Sequence, residues 1–385
     1  MLRDQSIDID EIKGIRQRLH SLAEVAGEES ETADYVQQVL KKTKPDHIQT
    51  GIGGNGIIAT YNGGEEGEEL MFRAELDALP IPETITPKYA SVNKGKSHKC
   101  GHDGHMAIIL GLAHLLEKKR PQKGKIHLLF QPAEETGQGA QWMLDDPQLG
   151  DYQPDYVFAL HNLPGYNRNT VVVRDDIFAS ASTGFIARLE GKTSHAGHPE
   201  DGNSPAPAVS TLIDALNSLP TRCAGLNAAA LVTVIHARLG EVAFGTTPGY
   251  AEVMATIRAH RDEHLDNMLQ TAQMVAEGTA ASWGLMLETE TTEHFKAITN
   301  NNEANDLIRK SAGNIGCEVF KKETPFPWSE DFGRFTETFK GALFGIGAGE
   351  KQYQLHHRQY DFPDEILENG IRIFSGIIDD RLNGG

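Results

Sequence analysis

The chain has 385 residues, 36 Lys and Arg against 54 Asp and Glu, and a formal net charge of −18. That acidic balance argues against a nucleic-acid partner, whose backbone needs a basic face, and the length is enough for two domains at roughly 100–200 residues each. Three cysteines are too sparse for a disulfide framework; with no apolar leader after Met1 and no run near the ~20 residues that span a bilayer, a soluble cytoplasmic protein without a membrane partner is expected.

Apolar residues at helical spacing predict helices over residues 7–43, with a break near Gly27. His20 falls here and reads as a buried structural histidine. Gly51-Ile52-Gly53-Gly54-Asn55-Gly56 has the spelling of a dinucleotide fingerprint. That fingerprint requires a helix directly after it, whereas Ile57-Ile58-Ala59-Thr60-Tyr61 reads as a strand, so the stretch is read as a turn between strands. A strand over Glu69–Ala74 runs into Glu75-Leu76-Asp77, which places two carboxylates on one face at the strand end.

Ser97-His98-Lys99-Cys100-Gly101-His102-Asp103-Gly104-His105-Met106 gathers a thiol, a carboxylate and three imidazoles ahead of an apolar helix, Ala107–Leu116. Thiolate and imidazole together suit borderline metals such as Zn²⁺. A further strand, Lys125–Phe130, ends in Gln131-Pro132-Ala133-Glu134-Glu135. Adjacent glutamates point different ways, so one can bind a metal while the other faces a water, as metal-assisted hydrolysis requires. A third strand, Tyr156–Leu160, ends in His161. Three strand ends that deliver His, Cys or carboxylate predict a metal site at one sheet edge.

Residues 178–292 change style and read as strand, helix, strand, strand, helix, strand, the order of a ferredoxin-like unit. Ser194-His195-Ala196-Gly197-His198-Pro199 lies between its first strand and first helix, where a metal contact and a substrate contact are equally open. After Glu293 the first style returns, with Ser329-Glu330-Asp331-Phe332 in a loop, a strand at Gly341–Ile346, then Leu355-His356-His357 and a final helix capped by Asp364. The expected fold class is α/β. A catalytic domain (1–177 and 293–385) holds a central twisted mixed β-sheet with helices on both faces. It is interrupted by an inserted ferredoxin-like α+β lid and dimerisation domain (178–292), whose strand edges could pair two subunits in a homodimer.

Taken together, His98-x-Cys100-Gly101-His102-Asp103-Gly104-His105-Met106, Gln131-Pro132-Ala133-Glu134-Glu135, Ser329-Glu330-Asp331-Phe332 and Leu355-His356 resemble, in order and spacing, the amidohydrolase branch of the co-catalytic metallopeptidases. That branch includes hippurate hydrolases, N-acyl-amino-acid aminoacylases and plant hydrolases of indole-acetyl-amino acids. The resemblance spans nearly the whole chain, insert included. It implies two divalent metal ions per subunit, Zn or Mn with Co or Ni as options, at Cys100, His102, Glu135, His161 and His356. Which ligand bridges stays open, with Cys100 the choice. Glu134 matches the general base and Asp77 an acid that supports the metal site. His195 matches an insert histidine that reaches the substrate carbonyl, in some relatives from the other subunit. Arg258 matches an arginine near the substrate carboxylate. The implied reaction is hydrolysis of the amide bond of a small N-acyl amino acid by metal-activated water.

Two alternatives keep the same fold: a dipeptidase or carboxypeptidase on the same metals, and a metal-binding homologue without activity. Four positions depart from the family pattern. Glu75 replaces an aspartate, Glu200 a histidine, Gly245 an asparagine and His357 an asparagine. The last three leave the metal set whole and bear on the substrate class.

Overall fold

Helix α1 (Ile9–Leu22) starts where Asp8 accepts the Glu11 N–H, and it buries Ile12, Ile15 and Leu19 along one stripe. Helix α2 (Ser30–Lys42) follows after the break at Gly27, whose φ of 82° suits a residue without Cβ. The computed structural model describes residues 1–225 and 228–384. The chain forms two units: Met1–Phe178 with Ile298–Pro325 and Glu330–Gly385, and Ala179–Ala297 with Phe326–Ser329.

The first unit continues with β1 (His47–Ile52), β2 (Gly56–Asn62), β3 (Glu65–Glu75), α3 (His102–Lys118), β4 (Lys123–Gln131), α4 (Gly139–Asp145), β5 (Tyr156–Pro164), β6 (Val171–Val173) and β7 (Asp176–Ala179). The second unit holds β8 (Ala181–Glu190), β9 (Ser194–His195), α5 (Ala206–Cys223), β10 (Ala230–Leu239), β11 (Thr246–Thr247), β12 (Tyr250–Ala259), α6 (Asp262–Ser282) and β13 (Met286–Phe295). The chain then re-enters the first unit as β14 (Ile298–Asn300), α7 (Asn302–Asn314), β15 (Val319–Lys321), α8 (Gly333–Thr338), β16 (Gly341–Gly349) and α9 (Leu367–Leu382).

The large sheet has the order β1-β2-β4-β3-β5-β16-β6-β15. Its centre, β4-β3-β5-β16, is parallel, whereas β1, β2 and β4 run antiparallel and β16 meets β6 antiparallel. Leu70, Phe72 and Ala74 of β3 face a core shared with α3 and α9, where Phe72 packs on Phe158 and Phe374. Burial on both faces explains why the central strands read as nearly continuous apolar runs. The strand β5 runs past Leu160 to Pro164, so His161 lies inside it, because pairing with β16 continues through His161↔Gly345. The last helix opens with a 3₁₀ turn at Asp364–Ile366. Cys317 is partly buried against the core of this unit.

In the second unit the sheet order is β10-β12-β8-β13, all antiparallel. This is the β-α-β-β-α-β order of a ferredoxin-like unit. Phe185, Ala187 and Leu189 of β8 and Val253, Ala255 and Ile257 of β12 are buried, as are Leu212, Leu216, Leu265 and Met268 of the two helices. On β8, Arg188 reaches Glu252 and Glu290 at 2.9 Å each. The edge strand β10 leaves Leu231, Ile235 and Leu239 exposed. Among the described residues no helix is long and apolar enough to cross a membrane.

Candidate metal centre

The parallel strands β4, β3 and β5 are neighbours, so their carboxyl ends converge at one edge of the sheet, the usual place for a site in an open α/β fold. From β3 the chain delivers Asp77, from β4 Glu134 and Glu135, and β5 carries His161. Cys100 and His102 come from the entry to α3. Gly101 turns the chain there at φ 97°, and a Cβ would meet the Asn162 side chain at 2.6 Å, so this position needs glycine. His356 arrives on the loop after β16 in a left-handed backbone, φ 65°, with its N–H bonded to the Lys99 carbonyl at 2.8 Å.

These side chains meet. Cys100 Sγ lies 3.5 Å from His161 Nε2. His102 Nε2 lies 3.6 Å from Glu134 Oε2 and 3.8 Å from Glu135 Oε1, and His356 Nε2 lies 3.6 Å from Glu135 Oε2. The donor atoms of Cys100, His102 and His161 fall within 4.8 Å of one another, and so do those of Cys100, Glu135 and His356.

The imidazoles are oriented from behind. His102 Nδ1–H donates to the Asp77 carbonyl at 2.8 Å, and His161 Nδ1–H donates to the Asn162 carbonyl at 2.9 Å, which leaves each Nε2 lone pair facing the cluster. Asp77 Oδ2 accepts the Glu135 N–H at 3.0 Å. Asp77 therefore holds one histidine and one glutamate of the cluster in place.

Burial first, and then the charges of Glu135, Glu134 and Glu75, push the Cys100 thiol well above its ordinary range. Burial and the carboxylates of Glu330, Glu135 and Asp331 do the same to Glu134. Burial raises Glu135 to about 7 against the pull of His102. A largely buried pocket, with only His356 exposed, that gathers one thiol, three carboxylates and several imidazoles is short of positive charge. Asp77 Oδ1, His102 Nε2 and Glu135 Oε1 are buried with no hydrogen-bond partner. Divalent cations would supply both the charge and the missing partners, and an N, O and S donor set fits a borderline ion. A buried thiol among carboxylates does not fit a redox nucleophile, which needs an electropositive surrounding.

His195 and Arg258 belong to the second unit. His195 is exposed on β9, paired with Thr246, and its Nδ1 accepts the Gly197 N–H at 3.0 Å. Arg258, half-buried on β12, donates to Ser329 Oγ at 3.1 Å and to the Pro327 carbonyl at 3.3 Å. Among the departures, Glu75 is buried between Arg73 and His105, Glu200 pairs with His198 at the surface, and His357 stacks on Tyr353 with ring centroids 4.5 Å apart.

One group was missed. Arg73 is fully buried and donates to Glu75, Glu330, Asp331 and Gln131, while Gln131 Nε2 also donates to Asp331. The signal was available: an arginine inside the apolar run Leu70-Met71-Phe72-Arg73-Ala74 must find buried anions.

The fold and this donor set define a metal-dependent hydrolase with an inserted ferredoxin-like unit. Residues 71–380 match the model of peptidase family M20/M25/M40, and the chain belongs to that family, whose members here hydrolyse amide bonds. The chain is 33% identical over 363 residues to an N-acetyl-L-cysteine deacetylase of Bacillus subtilis, covering 92% of this chain and 84% of the relative. It is 26% identical over 377 residues to an N-acetyldiaminopimelate deacetylase of Ligilactobacillus salivarius, covering 97% of each. Among solved structures, a dinuclear metal binding peptidase of the M20 family from Bacillus subtilis superposes with a TM-score of 0.81 at 25% identity, covering 96% of this chain and 97% of the other.

Proposed function

We propose that the protein is an aminoacylase-like enzyme that removes the acyl group from small N-acyl amino acids, with two divalent ions, Zn or Mn, at the sheet edge. Cys100, His102 and His161 would hold one ion, and Cys100, Glu135 and His356 the other. The observation that supports this is that Cys100 belongs to both of these donor groups, so its sulfur would be the ligand shared by the two ions. The dinuclear relative and the two deacetylases support the metal count and the substrate class. When bound, such ions polarise an acyl oxygen and lower the pKa of a water from 15.7 toward ~7.

Glu134 is the general base. It is buried, it is not one of the five proposed ligands, and its carboxylate stands 3.6 Å from His102 Nε2. It takes a proton from the attacking water and returns it to the leaving amide nitrogen. Asp77 keeps His102 and Glu135 aimed. His195 donates to the oxyanion and Arg258 binds the substrate carboxylate. The first unit is the catalytic domain. The second is a lid and dimerisation domain, for which the exposed apolar edge of β10 offers the pairing surface.

The test is metal analysis of protein purified without chelator, coupled to a panel of N-acetyl and N-benzoyl amino acids against free dipeptides. Two ions per chain with turnover of N-acyl amino acids supports the proposal, and Glu134→Gln should keep the metal while losing turnover by 10²–10⁴-fold or about that. Turnover confined to dipeptides would identify a dipeptidase instead. Metal without turnover of any amide would identify a binding protein.

A further inference from the structure

The turn that carries Glu134 is strained, and its support comes from the other end of the chain. Ala133, directly before Glu134, is a non-glycine residue at φ 52°. Such a backbone persists only where its surroundings fix it. Both sides of the peptide are fixed. The Ala133 carbonyl accepts the Gly139 N–H at 3.0 Å, and the Ala133 N–H donates to Glu29 Oε1 at 2.9 Å. Glu29 sits just before α2, makes no side-chain capping bond to that helix, and is fully buried. The same Oε1 accepts the Gly27 N–H at 2.8 Å, and Oε2 accepts Asn55 Nδ2–H at 2.8 Å.

Asn55 belongs to the glycine-rich stretch that forms the turn between the paired strands β1 and β2. That turn is docked on α4. Gly53 approaches so closely that a Cβ would meet the Met143 nitrogen at 2.7 Å, and its N–H donates to Asp146 Oδ2 at 2.9 Å. The glycines thus let the turn reach Glu29, and Glu29 reaches the peptide that aims Glu134.

We infer that Glu29, held by Asn55, is a positioning residue for Glu134 and acts through the left-handed peptide at Ala133. This rests on Glu134 being the general base. Without Glu29 the Ala133 N–H is buried with no acceptor, and the turn relaxes toward an ordinary backbone that swings the Glu134 carboxylate off the water. Glu135, the metal ligand that follows on the same turn, is held separately by the bond from its N–H to Asp77 Oδ2, so the loss falls mainly on kcat.

The experiment compares Glu29→Ala, Glu29→Gln, Asn55→Ala and Glu134→Gln in the metal-loaded full chain with an N-acetyl amino acid. It reads kcat, KM, ions per chain, and hydrogen exchange of the segment 131–138. Glu29→Ala should lose kcat on the order of 100-fold, the scale of a displacement near 1 Å, with KM and metal content unchanged and with faster exchange of that segment. Glu29→Gln should restore kcat to within roughly threefold, because its oxygen still accepts the Ala133 N–H while the Asn55 amide turns to meet the new donor. Wild-type kcat in Glu29→Ala overturns the inference, and so does a joint loss of metal and KM. If Glu29→Ala does not fold, Asn55→Ala decides: a partial loss in kcat at full metal content supports the inference and unchanged kcat overturns it. Full turnover in Glu134→Gln would remove the general base itself. The exchange rate of segment 131–138 then still reports on the Glu29 bracket.

Discussion

Two clusters flank the loop 97–103, both built around histidines and carboxylates and satisfied in opposite ways. In the first, His20 meets Asp103 at 2.8 Å and Glu83 at 3.0 Å, Lys99 meets Glu83 at 2.7 Å, and Arg16 meets Asp103 at 3.2 Å and Asp361 at 2.9 Å. Each charge has an opposite partner at hydrogen-bond distance. In the second, the nitrogens of His102 and His356 stand 3.6–3.8 Å from carboxylates, and buried polar atoms are left over. Buried polar groups are normally paired: the wider gaps of the second cluster leave room for a cation, whereas in the first Arg16 and Lys99 already supply positive charge, although Asp103 Oδ1 is left without a hydrogen-bond partner there too. Histidine and carboxylate content does not separate the two. Distance does.

The strongest way to break this comparison is to remove the shared thiolate. Cys100→Ala should lose both ions and reduce turnover by more than about 100-fold, beyond the range reached by outer supporting residues. His356→Ala should leave one ion bound. Metal analysis of the two variants decides, and an unaltered metal content in Cys100→Ala would make the two clusters equivalent.

The next effect falls on the paired cluster. Arg16→Ala leaves Asp103 and Asp361 without their cation and should destabilise the fold by about 3–5 kcal/mol in urea unfolding. The ligands themselves stay in place.

A smaller effect is its pH dependence. Burial alone would lower the His20 pKa, but hydrogen bonds and charge from Asp103 and then Glu83 outweigh it and raise it to about 9. A folded-state pKa above the unfolded value of 6.5 stabilises fully below that value and is lost as pH rises through 9. The metal-free chain should therefore lose on the order of 3 kcal/mol between these limits. His20→Gln should flatten that slope in a thermal melt series. The smallest effect belongs to an exposed pair: Glu200→Ala removes its contact with His198 and should change stability by less than about 0.5 kcal/mol.

Much of the fold was legible in order along the chain. Helical spacing gave α1 and α2, and apolar runs gave β3, β4 and β5. The four-strand, two-helix pattern of the insert was clear because one face of each element is buried and the other is wet. Short elements such as β6, β14 and β15 were not legible, since three residues carry no period. The strand β5 looked as if it stopped at Leu160, because pairing to β16, not apolarity, carries it on through His161.

By itself the sequence determined which side chains are available and the local geometry that presents them: Cys100 and His102 around a glycine turn, two glutamates after a strand, a histidine after another. Tertiary structure alone decided which of the sixteen histidines gather at the sheet edge and which are neutralised in ion pairs, because that depends on distances between strand ends far apart in the chain. The same holds for Glu29 and Arg73. Each acts through a partner about a hundred or more residues away, and no local pattern records such a pairing.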